Sequence, residues 1–179
     1  MIWLIRHGEA AASWGEAADP GLSKSGRKQA AAAAKELLRA PVEKVISSPM
    51  ARCQETARAF SGQSGIEMET VHAVTEIPTP EGLEDRRAWL SNLMAGNWSA
   101  APQVLKDWRS RLIATVEALP DNTAVFTHFV AINAIVGHLD GTQSVTVFRP
   151  GNCSITTLVR NGDKLAVQAM GGEAETKVL

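Results

Sequence analysis

The residues best suited to chemistry in this chain are Arg6 and His7, which close the apolar run Met1-Ile2-Trp3-Leu4-Ile5, together with Arg52 and His128. A guanidinium offers an anion a planar fork of donors, and a neutral imidazole offers a nucleophilic nitrogen. Two of each, brought together, would hold a doubly charged tetrahedral anion, and phosphate meets that description best. The intervening sequence therefore has to make four distant residues converge.

The opening run reads as a buried strand whose carboxyl end delivers Arg6 and His7 to the edge of a sheet. Asp19-Pro20-Gly21 is a turn signal. Ser23 then suits the N-cap of a helix running through the alanine-rich stretch to about Arg39, where Pro41 blocks continuation. Val42 to Ser47 reads as a short strand. Ser48 and Pro49 predict an N-cap and a first helical position, with Arg52 in the opening turn of a helix reaching about Phe60. Glu67 to Val71 is a further strand candidate. Residues 77–102 loosen around Pro78, Pro80, Gly82 and Gly96 and read as a lid-like insertion. It is expected to hold one helix, about Leu83 to Met94, and its tryptophans Trp89 and Trp98 look exposed. A helix from about Gln103 to Leu119 precedes a strand, Thr123 to Thr127, that ends at His128; Phe129 to Val136, apolar on all sides, suits a buried helix. Ser154 to Val159 and Lys164 to Met170 flank Asn161-Gly162 as a β-hairpin.

Strands alternating with helices predict a single three-layer α/β domain over residues 1–179. Its sheet should be largely parallel, with helices on both faces and an antiparallel C-terminal hairpin. Parallel strands place their strand-to-helix junctions on one side, so Arg6-His7, Arg52 and His128 can meet there. Helix amino termini near Ser48 and His128 would add backbone donors and positive dipole ends.

Composition narrows the functional classes. The 179 residues are 45% hydrophobic, enough for one full core, and the formal net charge of -1 provides no global basic field for nucleic acid or anionic lipid. Neither a nucleic acid nor a membrane partner is expected. Cys53 and Cys153 make no disulfide framework and no zinc-like spacing, so both read as small buried hydrophobes. With no signal segment and no long apolar run, the expected location is cytoplasmic.

Four stretches carry a resemblance: Leu4-Ile5-Arg6-His7-Gly8-Glu9, Leu22-Ser23-Lys24-Ser25-Gly26-Arg27-Lys28-Gln29-Ala30, Ser47-Ser48-Pro49-Met50-Ala51-Arg52-Cys53-Gln54-Glu55-Thr56-Ala57, and Thr127-His128. In this order, over most of the chain, they resemble the histidine phosphatase superfamily, also called phosphoglycerate-mutase-like. The first and third stretches together are highly specific. The resemblance implies that His7 takes the phosphoryl group on a ring nitrogen while Arg6, Arg52 and His128 hold the equatorial oxygens. It also implies a carboxylic acid between the second arginine and the second histidine. Glu76, in Val74-Thr75-Glu76-Ile77, fits that place best, with Glu81, Glu84 and Asp85 as competitors. Neither a metal nor another cofactor is implied.

Two departures stand out. Ser13 occupies a position where the superfamily commonly has a phosphate-touching asparagine, and Phe129-Val130 replaces two frequent glycines. Ser13 can still donate one hydrogen bond, and Phe129 either walls the pocket or packs into the core. Arg86, Arg87, Trp89 and Trp98 have two readings: a site mouth for a second anionic group, or a charged helix face with core-packing rings. His72 and His138 match no motif position and read as surface residues. The function these features imply is hydrolysis of a small phosphorylated metabolite through a phosphohistidine. A phosphohistidine phosphatase or a phosphoglycerate-mutase-type transferase would use the same site. From another class, a phosphate-binding module without turnover would need only the pocket.

Overall fold

The first strand, β1 (Ile2–Arg6), is buried along its length, and its side chains alternate between two cores. Trp3 and Ile5 join Val45, Ala124 and Phe126 on one face, while Ile2 and Leu4 join Ile46, Val125 and Leu158 on the other. Such two-sided burial requires helices above and below the sheet. The computed structural model, which describes residues 1–12 and 19–174, shows them. After β1 come α1 (Lys24–Leu37), β2 (Lys44–Ser47), α2 (Ala51–Ser64) and β3 (Met68–Thr70). There follow α3 (Arg86–Met94), α4 (Gln103–Glu117), β4 (Thr123–Thr127), α5 (Phe129–Leu139), β5 (Ile155–Asn161) and β6 (Lys164–Ala169), with short 3-10 turns at His72–Val74 and Trp98–Ala100. Ala34, Leu37, Ala57 and Phe60 of α1 and α2 cover the first face, whereas α4 and α5 cover the second.

The strands lie in the order β3-β2-β4-β1-β5-β6. The first four are parallel; β5 runs antiparallel to β1, and β6 antiparallel to β5. Phe126 of β4 is level with Ile5 on one side and Ser47 on the other, so three strands end together. Helices leave β1 and β2 toward one face but leave β4 toward the other. In open α/β sheets such a divergence marks the usual ligand-binding edge, here the carboxyl ends of β2, β4 and β1. The single α/β domain predicted from the sequence is the fold observed.

Several boundaries differ from the sequence reading, each for a local reason. The second helix begins at Ala51 with Met50 at its N-cap, not at Ser48-Pro49, because the Ser48 N–H continues the sheet ladder by donating to Phe126 O at 3.0 Å. That helix also runs past Phe60 to Ser64, where Gly65 ends it with a φ of 74°. The helix expected from about Leu83 starts at Arg86, since Asp85 caps it by accepting from the Ala88 N–H at 2.8 Å. Trp98 is buried rather than exposed, and stacks on Trp108 with ring centroids 6.2 Å apart. In the hairpin Asn161 pairs with Lys164, so the turn is Gly162-Asp163, with Gly162 at a φ of 62°.

Candidate active site

Three adjacent strand ends supply the site. The ladder continues one residue past β1, with the His7 N–H donating to Thr127 O at 3.0 Å. His7 is thereby fixed beside His128, which caps α5. Arg52 reaches the same place from the first turn of α2. All four side chains, Arg6 included, are buried, although their charged or polar heads would be costly to bury without partners.

Those partners orient each group. His7 Nδ1 lies 2.8 Å from Gly8 O, an acceptor, so Nδ1 carries the proton and Nε2 keeps its lone pair. Arg52 Nε donates to that Nε2 at 3.2 Å, and Arg52 Nη2 lies 3.3 Å from His128 Nδ1. One guanidinium therefore joins both imidazoles, whose centroids are 5.2 Å apart. Arg6 Nη1 donates to Pro150 O at 2.8 Å, and its guanidinium stands 5.3 Å from the Phe129 ring centroid. The Phe129 ring belongs to the core and backs the Arg6 guanidinium.

The second motif holds the first in place. Gly8 and Gly26 meet so closely that a Cβ on Gly8 would lie 2.7 Å from Gly26 O. The Gly8 N–H donates to Thr56 Oγ1 at 3.0 Å, and Ser23 Oγ donates to Glu9 Oε1 at 2.5 Å. The loop after β1 is consequently clamped between the starts of α1 and α2.

Glu76 is buried after the 3-10 turn at His72–Val74. Its Oε1 accepts from the Ile77 N–H at 3.0 Å and its Oε2 from the Val130 N–H of α5 at 3.4 Å. Burial pushes its carboxyl pKa up, opposed by these two bonds and by Arg52 and Arg6. The competitors Glu81, Glu84 and Asp85 are exposed. Burial, reinforced by Arg52 and Arg6, holds the His7 pKa well below the ordinary histidine value. His128 is depressed in the same direction by burial, then by His7 and the two arginines. Burial lowers Arg6 to about 10, which leaves it charged at neutral pH. The site therefore combines two fixed cations, two neutral imidazoles and a carboxyl that resists ionisation.

Other expectations divide. Ser13 lies outside the described residues. Arg86 opens α3, and the charges of Arg52 and Glu76 act on it, whereas Arg87 is exposed. Trp89 packs half-buried against the core. His72 is exposed and His138 pairs with Glu117 at 3.2 Å. Both cysteines are buried and unpaired. Asp19 was read from sequence only as part of a turn, yet both its carboxylate oxygens accept from the Ala51 N–H at 3.0 Å, and Oδ1 lies 3.8 Å from Arg52 Nη1. It caps α2 where Ser48 was expected to. Among the described residues no group of three His, Cys, Asp or Glu side chains is placed to hold a metal ion, and no helix is long and apolar enough to cross a membrane.

A sequence model described as the histidine phosphatase superfamily, branch 1, matches residues 2–172. The chain belongs to this superfamily. Solved structures of similar fold include a mycobacterial glucosyl-3-phosphoglycerate phosphatase, at 21% identity and TM-score 0.76, covering 97% of this chain and 99% of that one. A phosphoserine phosphatase from Entamoeba histolytica, in complex with 3-phosphoglyceric acid, aligns at 19% identity and TM-score 0.77 over 96% of each chain. A mycobacterial hydrolase aligns at 20% identity and TM-score 0.72, covering 97% of this chain and 99% of that one. No curated protein sequence matches the chain. In this histidine phosphatase superfamily member, the Arg6-His7-Gly8 stretch lies at the carboxyl end of β1, the edge at which open α/β sheets in general bind ligands.

Proposed function

We propose that the protein hydrolyses a phosphomonoester of a small metabolite through a phosphohistidine on His7. The observation that carries this reading is the Arg52 guanidinium, which donates to His7 Nε2 while lying against His128 Nδ1. A phosphoryl group replacing those contacts would meet a nucleophilic nitrogen, two guanidinium groups and a second imidazole at once. Phosphoryl transfer depends mainly on in-line positioning and fixed positive charge, and this site provides both. Two of the structural relatives reported above are named as phosphatases, which agrees with hydrolysis.

In the first step His7 Nε2 attacks phosphorus while Arg6, Arg52 and His128 hold the equatorial oxygens. Glu76 gives its proton to the departing alkoxide. In the second step the Glu76 carboxylate takes a proton from water, whose oxygen attacks the phosphohistidine and releases phosphate. Glu76 ends protonated and His7 ends neutral, as they began. The insertion at residues 77–102, with Arg86 at its helix start, would border the entrance.

Release of phosphate from p-nitrophenyl phosphate and a panel of sugar, amino-acid and nucleotide monophosphates tests the reading between about pH 5 and about pH 8. Wild-type protein should turn over without bisphosphate and form an acid-labile phosphoenzyme. EDTA should leave the rate unchanged, because the arginines supply the positive charge. Binding of phosphate without turnover across the panel would overturn the proposal and leave a phosphate-binding module; strict dependence on a bisphosphate would indicate a mutase instead.

A further inference from the structure

His128 is held at both ring nitrogens. Its Nε2 lies 2.8 Å from Ser48 Oγ and its Nδ1 lies 3.3 Å from Arg52 Nη2. The ring, Ser48 and Cys53 are fully buried. A guanidinium only donates, so Nδ1 of the neutral ring is bare and the proton sits on Nε2, donated to Ser48 Oγ. Ser48 Oγ also accepts from the Met50 N–H at 3.3 Å. Cys53 Sγ, 3.3 Å from Nε2, itself donates to Thr127 O at 3.4 Å. Nε2 is thus enclosed by side chains, which leaves Nδ1 as the nitrogen sharing Arg52 with the nucleophile. In the arrangement seen here, however, Nδ1 has no proton to donate to a phosphoryl oxygen.

We propose that Ser48 sets the tautomer of His128, accepting from Nε2–H in this arrangement and donating to a bare Nε2 once a phosphoryl oxygen stands at Nδ1. Transient opening of this enclosure lets one proton pass from Nε2 to solvent and one from solvent to Nδ1, with no net change in protonation. The serine hydroxyl turns its hydrogen toward the ring, and the imidazole stays neutral throughout. A hydroxyl suits this position because it donates or accepts without moving a heavy atom. Ser48 is accordingly a positioning residue, acting on phosphate through His128. The inference rests on the phosphate-binding part of the proposed function, not on turnover.

Nitrogen-15 spectra of histidine-labelled protein distinguish the two tautomers, with the four histidines assigned by loss of the His128 signals in His128→Asn. The ligand-free protein should show the Nε2–H pattern, and saturation with inorganic phosphate or vanadate should convert it to Nδ1–H. Ser48→Ala should fail to convert and should lose tenfold or more in kcat, while Ser48→Thr restores both. An Nδ1–H ring before ligand is added, an unchanged ring at saturation, or wild-type behaviour of Ser48→Ala would overturn the proposal. Should Ser48→Ala not fold, the wild-type spectra alone decide it. Conversion on phosphate in a protein without turnover would uphold this inference while removing the proposed function; turnover with an unchanged ring would do the reverse.

Discussion

The rim formed by β1, β2 and β4 and the segment from Ile77 to Pro102 are built under opposite physical rules. At the rim every polar head is buried and fixed by at least one short contact, as with His7 on Gly8 O and Arg6 on Pro150 O. In the segment Glu81, Glu84 and Arg87 are exposed, and attachment to the body relies on apolar anchors, chiefly Leu90 and Trp98. A rim of this kind is preorganised for one charge distribution. The segment can change its outward residues at little cost to the core, which suits selection among leaving groups. Under the proposed function, chemistry and choice of substrate would fall to different parts of the chain, and substitutions should separate them.

The largest effect is expected at the nucleophile. His7→Ala should abolish phosphoenzyme formation and reduce turnover by several orders of magnitude, as when a nucleophile is removed from other covalent mechanisms. Retained turnover measured by phosphate release would place the chemistry elsewhere. Arg52→Ala comes next. It removes the group joining both imidazoles, and a loss of about 10²–10³ in kcat is expected for one preorganised electrostatic donor. Arg52→Lys should recover little, because a point charge cannot reach His7 Nε2 and His128 Nδ1 together.

Glu76→Gln should cost about 10²-fold or more in kcat on an alkyl phosphate and much less on p-nitrophenyl phosphate, whose leaving group needs no proton. The pH dependence has a definite sign. His7 is depressed, so the acid limb of kcat/KM lies below the ordinary histidine value of 6.5; Glu76 is raised, so the alkaline limb lies above the ordinary carboxyl value of 4.5. Activity needs His7 neutral and Glu76 protonated, ranges that do not overlap at the ordinary values, and both shifts act to bring them together. Glu76→Gln should erase the alkaline limb and leave the acid limb in place. The same depressed histidines predict falling stability as the pH drops through about 6.5, because the unfolded chain binds protons that the folded ring sites refuse. A melting temperature independent of pH across that range would contradict the burial of His7 and His128.

The contrast also explains what was legible in the sequence. Arg6, His7, Arg52 and His128 could be placed because each sits at a strand-to-helix junction, where hydrophobic pattern and turn chemistry coincide. The sheet, the helices and the final hairpin followed from the same periodicities. Ser48 was misassigned, and the cap supplied by Asp19 was missed, because capping preferences are local. Serine before proline is a good N-cap in isolation, but here the ladder to Phe126 O retains Ser48 in the sheet and a loop carboxylate takes over the cap. Trp98 was misread for a related reason. Prolines and glycines around it suggest solvent, whereas its burial depends on Trp108 in the next helix, a tertiary contact with no local signal.

Arg86 should produce the smallest and most selective effect. It begins α3, is partly exposed, and feels the charges of Arg52 and Glu76. A cation in that position can attract a second anionic group on a substrate but contributes little to phosphoryl transfer itself. Arg86→Ala should therefore raise KM about tenfold for a phosphate ester bearing a carboxylate or second phosphate, a change of about 1.4 kcal/mol. It should leave kcat and the KM for p-nitrophenyl phosphate near wild type. Equal losses on both substrates would mean that the segment supports the rim structurally, and the division of labour drawn above would fail. A selective rise in KM would instead point to doubly anionic metabolites as the substrates to screen first.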